Sequence, residues 1–158
     1  MKIKQYIVPI AVVLGFVVLY GISKAKTLIG VFDKITIEPD KISDPDLSWT
    51  RIRFKIDILL TNPTQESFDV SGFGVAKLKT IHLFWKGTYI ATSTVNLVEI
   101  SIPSNNQLTI HDIDVEIPTK FILQNVKLIE SMISDFDVKY LTTTGILEVA
   151  GNDIEIGS

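Results

Sequence analysis

The chain has 158 residues, fifteen basic against eighteen acidic, a net charge of −3 and no cysteine, which leaves room for one domain with its own core. Without cysteine there is no disulfide framework, thiolate zinc site, thiol nucleophile or thioether lipid anchor. Lys2, Lys4, Lys24 and Lys26 flank an N-terminal apolar run, so from Thr27 onward eleven basic residues face eighteen acidic ones, an acidic balance that repels a phosphate backbone and argues against nucleic-acid binding.

Residues 6–22 carry no charge. Tyr6, Ile7, Val8, Ile10, Val12, Val13, Leu14, Phe16, Val17, Val18, Leu19, Tyr20 and Ile22 supply an apolar surface on all sides, with Pro9 in the first turn, where a helix tolerates it. As a helix the run spans about 25 Å, and flanking lysines and tyrosines extend it toward the roughly 30 Å of a hydrocarbon core. We read it as a membrane anchor whose partner is the lipid bilayer. A cleavable signal peptide is the main competitor, favoured by the basic start and opposed by the long apolar core and the lack of a small-x-small cleavage site; a buried core helix is the third reading. Two lysines on each side specify orientation weakly, and a single pass with the N-terminus inside and the domain outside is the expectation. The resulting organisation is an anchor over residues 1–26, a stalk over 27–34 weakened by Gly30, and a β domain over 35–158.

The β domain reads as short alternating runs separated by turn residues. Ile35 and Ile37 begin a strand that Pro39-Asp40 ends, and Ser43-Asp44-Pro45-Asp46 is loop chemistry. Next comes the best-patterned stretch, residues 51–64: Ile52, Phe54, Ile56, Ile58 and Leu60 share one side, and Arg51, Arg53, Lys55 and Asp57 the other. That period of two predicts a central strand with one buried and one wet face, stopped by Asn62-Pro63. Thr64-Gln65-Glu66-Ser67 leads to Phe68, Val70 and the Gly72/Gly74 pair. Residues 76–85 and 89–97 about Lys86-Gly87 predict a hairpin.

A further strand is expected over 98–102, then a loop over 103–107. Leu108 and Ile110 are in one phase and Ile113, Val115 and Ile117 in the other, which a one-residue bulge at His111-Asp112 reconciles. Ile122, Val126, Ile129, Ile133 and Phe136 have helical spacing, with Thr119 as N-cap of the only helix expected beyond the anchor. Strands over 139–141 into 145–149 and over 154–156 close the chain around Gly151-Asn152-Asp153.

Several of these segments resemble the type-2 late embryogenesis abundant family, also described as the water stress and hypersensitive response (WHy) domain. The resemblance lies in the alternating strand ending Asn62-Pro63-Thr64, the Lys86-Gly87-Thr88-Tyr89-Ile90-Ala91 turn and return strand, and Ile102-Pro103-Ser104 leading to Leu108-Thr109-Ile110. The closing residues 140–156 with Gly145 and Gly151 belong to it too. It covers about residues 31–156 and is carried by the order of short motifs. It implies a mainly β, immunoglobulin- or fibronectin III-like antiparallel β-sandwich with one short helix, often held at a membrane by an N-terminal segment, associated with stress tolerance and without established catalytic residues. The bulky Ile81-His82-Leu83-Phe84-Trp85 run and the extra length over 92–101 depart from the family pattern.

Candidate chemistry is sparse. His82 and His111 are the only imidazoles. His111 precedes Asp112, Asp114 and Glu116, a spacing that puts three carboxylates on one strand face where a divalent cation could bind, although a solvated face is the simpler reading. Asp44-Pro45-Asp46 lacks the fuller calcium-loop spacing and reads as a turn, and no nucleophile elbow or glycine-rich phosphate cradle is present. We therefore expect no enzyme, cofactor, metal or small-molecule substrate. His82, Phe84, Trp85 and Tyr89 form a candidate patch for a protein partner, a second copy or lipid, against the simpler reading that half of them face the core. The expected function is a membrane-anchored, non-enzymatic binding or stabilising module at a membrane surface. The alternative is a structural subunit of a larger membrane-containing assembly, such as a lipid-containing virion with an internal membrane or secretion machinery. A soluble stress protectant is third, and the hydrophobic N-terminus argues against it.

Overall fold

Burying every second side chain of residues 52–62 organises the domain. The computed structural model describes residues 31, 34–69, 76–98, 100–149 and 152–157. In chain order the elements are β1 (Thr36–Leu47), β2 (Ile52–Asn62), β3 (Phe68–Asp69), β4 (Ala76–Trp85), β5 (Thr88–Val98), β6 (Ser101–Ile102), β7 (Asn106–Ile117), α1 (Thr119–Gln124), α2 (Val126–Ser134), β8 (Leu141–Val149) and β9 (Asn152–Ile156). One 3-10 turn, Val138–Tyr140, precedes β8. All strand pairs are antiparallel, in a sheet ordered β1-β2-β7, a second ordered β5-β4-β8-β9 and a small β3-β6 pair.

The two larger sheets share one apolar core. Ile52, Phe54, Ile56, Ile58 and Leu60 of β2 are each at most 2% exposed and pack with Leu78, Ile81, Leu83 and Trp85 of β4; full burial of such a side chain contributes about 1.5–3 kcal/mol. Hydroxyls stitch the two sheets together. Ser93 on β5 donates to the Asp114 carbonyl on β7 at 2.8 Å, and Thr143 on β8 donates to the Ile37 carbonyl on β1 at 3.2 Å. Phe136 closes the end beneath α2, edge-on to Phe54 at 5.0 Å and stacked on Trp85 at 5.6 Å.

The expected central strand, the hairpin and the β7 bulge are all present. Lys86 and Gly87 both have positive φ, 47° and 80°, as a two-residue type I′ hairpin requires. Opposite Asp57, β7 carries two residues, His111 and Asp112, so that Ile58 pairs Ile110 while Ile56 pairs Ile113. Asp112 absorbs the insertion at φ 55°, and the buried phase continues through Val115 and Ile117.

Other expectations are corrected. The first strand runs through Pro39 and through residues 43–46, because β1 lies at a sheet edge, where the missing proline N–H costs no ladder bond. Two register shifts, between Pro39 and Lys41 and between Ser43 and Asp46, take up the irregular residues. β5 extends to Val98, and only Ser101–Ile102 of the strand expected over 98–102 is a separate strand, paired with β3. Two helices replace the single one: Asn125 breaks the run at φ −128°, its side-chain amide donating to the Phe121 carbonyl at 2.9 Å. Thr119 is the first helical residue and makes no cap. Residues 138–140 are a 3-10 turn instead of a strand start, since Asp137 accepts the Lys139 N–H at 3.0 Å.

The anchor reading over residues 6–22 lies outside the described residues; among those described, no helix is long and apolar enough to cross a membrane. Val31 is 2% exposed within the core, and its carbonyl accepts the Lys34 and Ile35 N–H groups at 3.0 and 3.1 Å. The preceding chain therefore joins the domain at the end where Thr36 pairs Thr61.

Candidate interaction face

Strand parity divides the four patch residues. On β4, Ile81, Leu83 and Trp85 are buried and His82 and Phe84 project from the opposite, outer face. Trp85 is thus a core residue, 0% exposed, packed on Phe136 and edge-on to Tyr140 at 5.3 Å. Lys86 reaches back over this end: its ammonium lies 4.3 Å from the Tyr140 ring centroid and donates to Ser131 Oγ at 3.1 Å.

The other three residues meet outside. Tyr89 is 47% exposed and lies opposite Phe84 in the hairpin register. Its ring is edge-on to Phe84 at 5.9 Å and to His82 at 6.2 Å. Thr92 ties the group together, with Tyr89 Oη at 2.9 Å and His82 Nδ1 at 2.6 Å from its hydroxyl. Across β8, His82 pairs Thr144 and Phe84 pairs Thr142. This half of the outer face is thus aromatic and hydroxyl, without a formal charge on the strands. At the other end of the same sheet the ions satisfy one another: Lys79 lies 3.1 Å from Asp153 and 3.5 Å from Glu148, and Lys77 lies 3.5 Å from Glu148. The Asp153 carboxylate holds the Lys79 ammonium above the usual lysine value.

The acidic residues of β7 do not converge. His111 Nδ1 and the Asp112 N–H address the two oxygens of Asp57, at 3.0 and 2.9 Å. Those two contacts, the Asp112 N–H first, hold the Asp57 carboxyl below its ordinary value. Glu116 pairs Arg53 at 2.7 Å, and Asp114 stands opposite Lys55 in the ladder. Among the described residues no group of three His, Asp or Glu is placed to hold a metal. Near the β1–β2 turn, Asp46 of β1 pairs Arg51 at 2.6 Å, and Asp44 of β1 pairs Lys55 of β2 at 3.5 Å.

Two features escaped the sequence reading. Asn62, 0% exposed, is a hub: its amide nitrogen lies 2.8 Å from the Glu66 carbonyl, 3.1 Å from that of Ile102 and 3.2 Å from that of Pro103, while its oxygen accepts the Thr64 N–H at 3.1 Å. The Asn-Pro-Thr stop is therefore an Asx turn that binds two loops together. The second is the set of exposed apolar residues at the opposite end, Trp49 at 51%, Leu123 at 70% and Val126 at 51%. Leu123 lies outside the Ile122, Ile129, Met132 stripe that packs inward, and that mismatch was the available signal.

No protein-family model matches the chain, and no curated protein matches its sequence. Among solved structures the chain is similar to the crystal structure of a protein from Archaeoglobus fulgidus, with TM-score 0.33 and 8% identity over 77% of this chain and 86% of that one. It is also similar to the solution structure of a protein designated late embryogenesis abundant (LEA), with TM-score 0.29 and 14% identity over 85% of this chain and 80% of that one. Both superpositions are loose, and the functional reading rests on the chain's own residues.

Proposed function

We propose that the chain is a membrane-anchored, non-enzymatic β-sandwich of the type-2 late embryogenesis abundant kind, with an immunoglobulin- or fibronectin III-like arrangement of its sheets, acting as a binding or stabilising module at a membrane surface. The observation that carries the reading is the uncharged run over residues 6–22, flanked by lysine pairs and placed ahead of an acidic β domain. The side chains that looked chemical in the sequence support it by their employment: His111 is held by Asp57, Glu116 by Arg53 and Asp46 by Arg51. The bilayer is the first partner, in single-pass orientation with the domain outside. The test compares membrane association of the full chain with that of a chain lacking residues 1–26; equal association of the two defeats the proposal.

One observation favours the alternative, a structural subunit of a larger membrane-containing assembly. The His82, Phe84, Tyr89 and Thr92 surface carries no lysine, arginine or carboxylate and is built largely of rings, a composition suited to contact with a protein partner or a second copy. Crosslinking after mild detergent extraction separates the readings: a stoichiometric partner selects the assembly, and monomers alone select the module.

A further inference from the structure

Antiparallel pairing brings three exposed apolar side chains to one end of the domain. Ile52 begins β2 and pairs Ile117, the last residue of β7, so the turn carrying Trp49 and the helices carrying Leu123 and Val126 leave the β1-β2-β7 sheet at the same end. Apolar residues this exposed, 51%, 70% and 51%, are ordinary singly and informative when gathered. Their electrostatic setting identifies the occupant. Between Glu116 and Glu130 the chain has no acid and two lysines, Lys120 and Lys127, both exposed and, among the described residues, in no salt bridge. Exposed Glu130 follows one turn after Lys127 and Asp135 ends the helix, so the basic stretch is the corner over residues 117–129, and that corner, in a domain of net acidic charge, is complementary to an anionic surface. A tryptophan with branched apolar residues and lysines at the same end of a domain is the composition of a protein element seated at a lipid interface.

We propose that this end is a docking tip for an anionic bilayer: Trp49, Leu123 and Val126 enter the headgroup boundary, and Lys120 and Lys127 pair with lipid phosphates and carboxylates. The docking stands on the tip's own residues, but its consequence rests on the anchor reading above. The preceding chain joins the domain where Thr36 pairs Thr61, a strand's length of about 35 Å from the tip. On that reading, a chain held in one membrane by residues 6–22 is proposed to offer the tip to a second one.

The test uses the full chain, reconstituted into nanodiscs of neutral phosphatidylcholine and mixed with sedimentable vesicles, either pure phosphatidylcholine or containing phosphatidylserine. The expected result is recruitment by the phosphatidylserine vesicles alone, weakening as salt is raised. Exchanging Lys120→Gln or Lys127→Gln reduces recruitment about fivefold each. The combined Trp49→Ser, Leu123→Ser and Val126→Ser variant reduces it by more than about tenfold, with an unchanged thermal melt as the folding control. Equal recruitment by neutral and anionic vesicles, or recruitment untouched by these substitutions, overturns the proposal. So does tip-dependent self-association of the chain in place of vesicle capture, which assigns the tip to a second copy. Failure of the anchor reading shows itself separately, as a chain that never enters the neutral disc; the tip substitutions are then read on the free chain.

Discussion

The backbone N–H of Asp112 donates to the carboxylate of Asp57 at 2.9 Å, at the point where the register of the β1-β2-β7 sheet shifts. One residue of β2 answers two of β7 at that point. On its other side Asp57 pairs Lys41, next to the first irregularity of β1. A single carboxylate thus stands where both neighbouring strands change phase, and His111 engages its second oxygen at 3.0 Å.

Asp57→Ala is expected to lower stability by about 1.5–3 kcal/mol, the range for hydrogen bonds to a charged acceptor, with urea denaturation as the measurement. The wild type also acquires an acid-side dependence. Because the folded-state pKa of Asp57 is depressed, its contribution is fully present above the unfolded value near 4 and is lost as pH falls through the lower folded value. Asp57→Asn removes that part of the acid sensitivity, so the difference in stability between variant and wild type narrows below about pH 4.

Asn62→Ala leaves the Thr64 N–H and the carbonyls of Glu66, Ile102 and Pro103 without the amide that now meets them. A loss of about 2–3 kcal/mol is expected, measured by chemical denaturation. Asn62→Asp is the sharper comparison: it keeps the acceptor, deletes the donor and buries a charge against carbonyl oxygens, and it should destabilise more than alanine does.

Gly145 occupies a tight space. A Cβ there would stand 3.1 Å from both Ile37 Cδ1 and Leu78 Cδ1 and 3.2 Å from Ile156 Cγ1, between β1 and the β4-β8-β9 surface. Gly145→Ala should cost about 1–3 kcal/mol through overpacking, and the double variant with Ile37→Val should recover part of it in thermal melts.

Much of this scaffold was legible because one-sided burial imposes a period of two. Ile52 through Leu60 announced β2, and the change of phase between Ile110 and Ile113 announced the bulge before any partner for it was known. The inward course of Trp85 was legible in principle, since it shares parity with Leu83. Most of what escaped depended on distant partners. Pro39 looks like a strand end until its strand lies at an edge, and the Asn62 amide meets carbonyls forty residues away. Asn125 breaks its helix through a local bond that the apolar spacing of Ile122, Val126 and Ile129 conceals. In the candidate patch the residue types of His82, Phe84 and Tyr89 were visible, but the union of His82 and Tyr89 through Thr92, with Phe84 against the Tyr89 ring, needed the hairpin register.

The anchor is tested most directly by flotation of the full chain with membranes after alkaline carbonate extraction, beside a chain lacking residues 1–26 and correctly folded by circular dichroism. The full chain is expected to float and withstand carbonate while the shortened chain stays in the soluble fraction. A full chain released by carbonate, or a shortened chain that resists it equally, would contradict the anchor on which the proposed function rests.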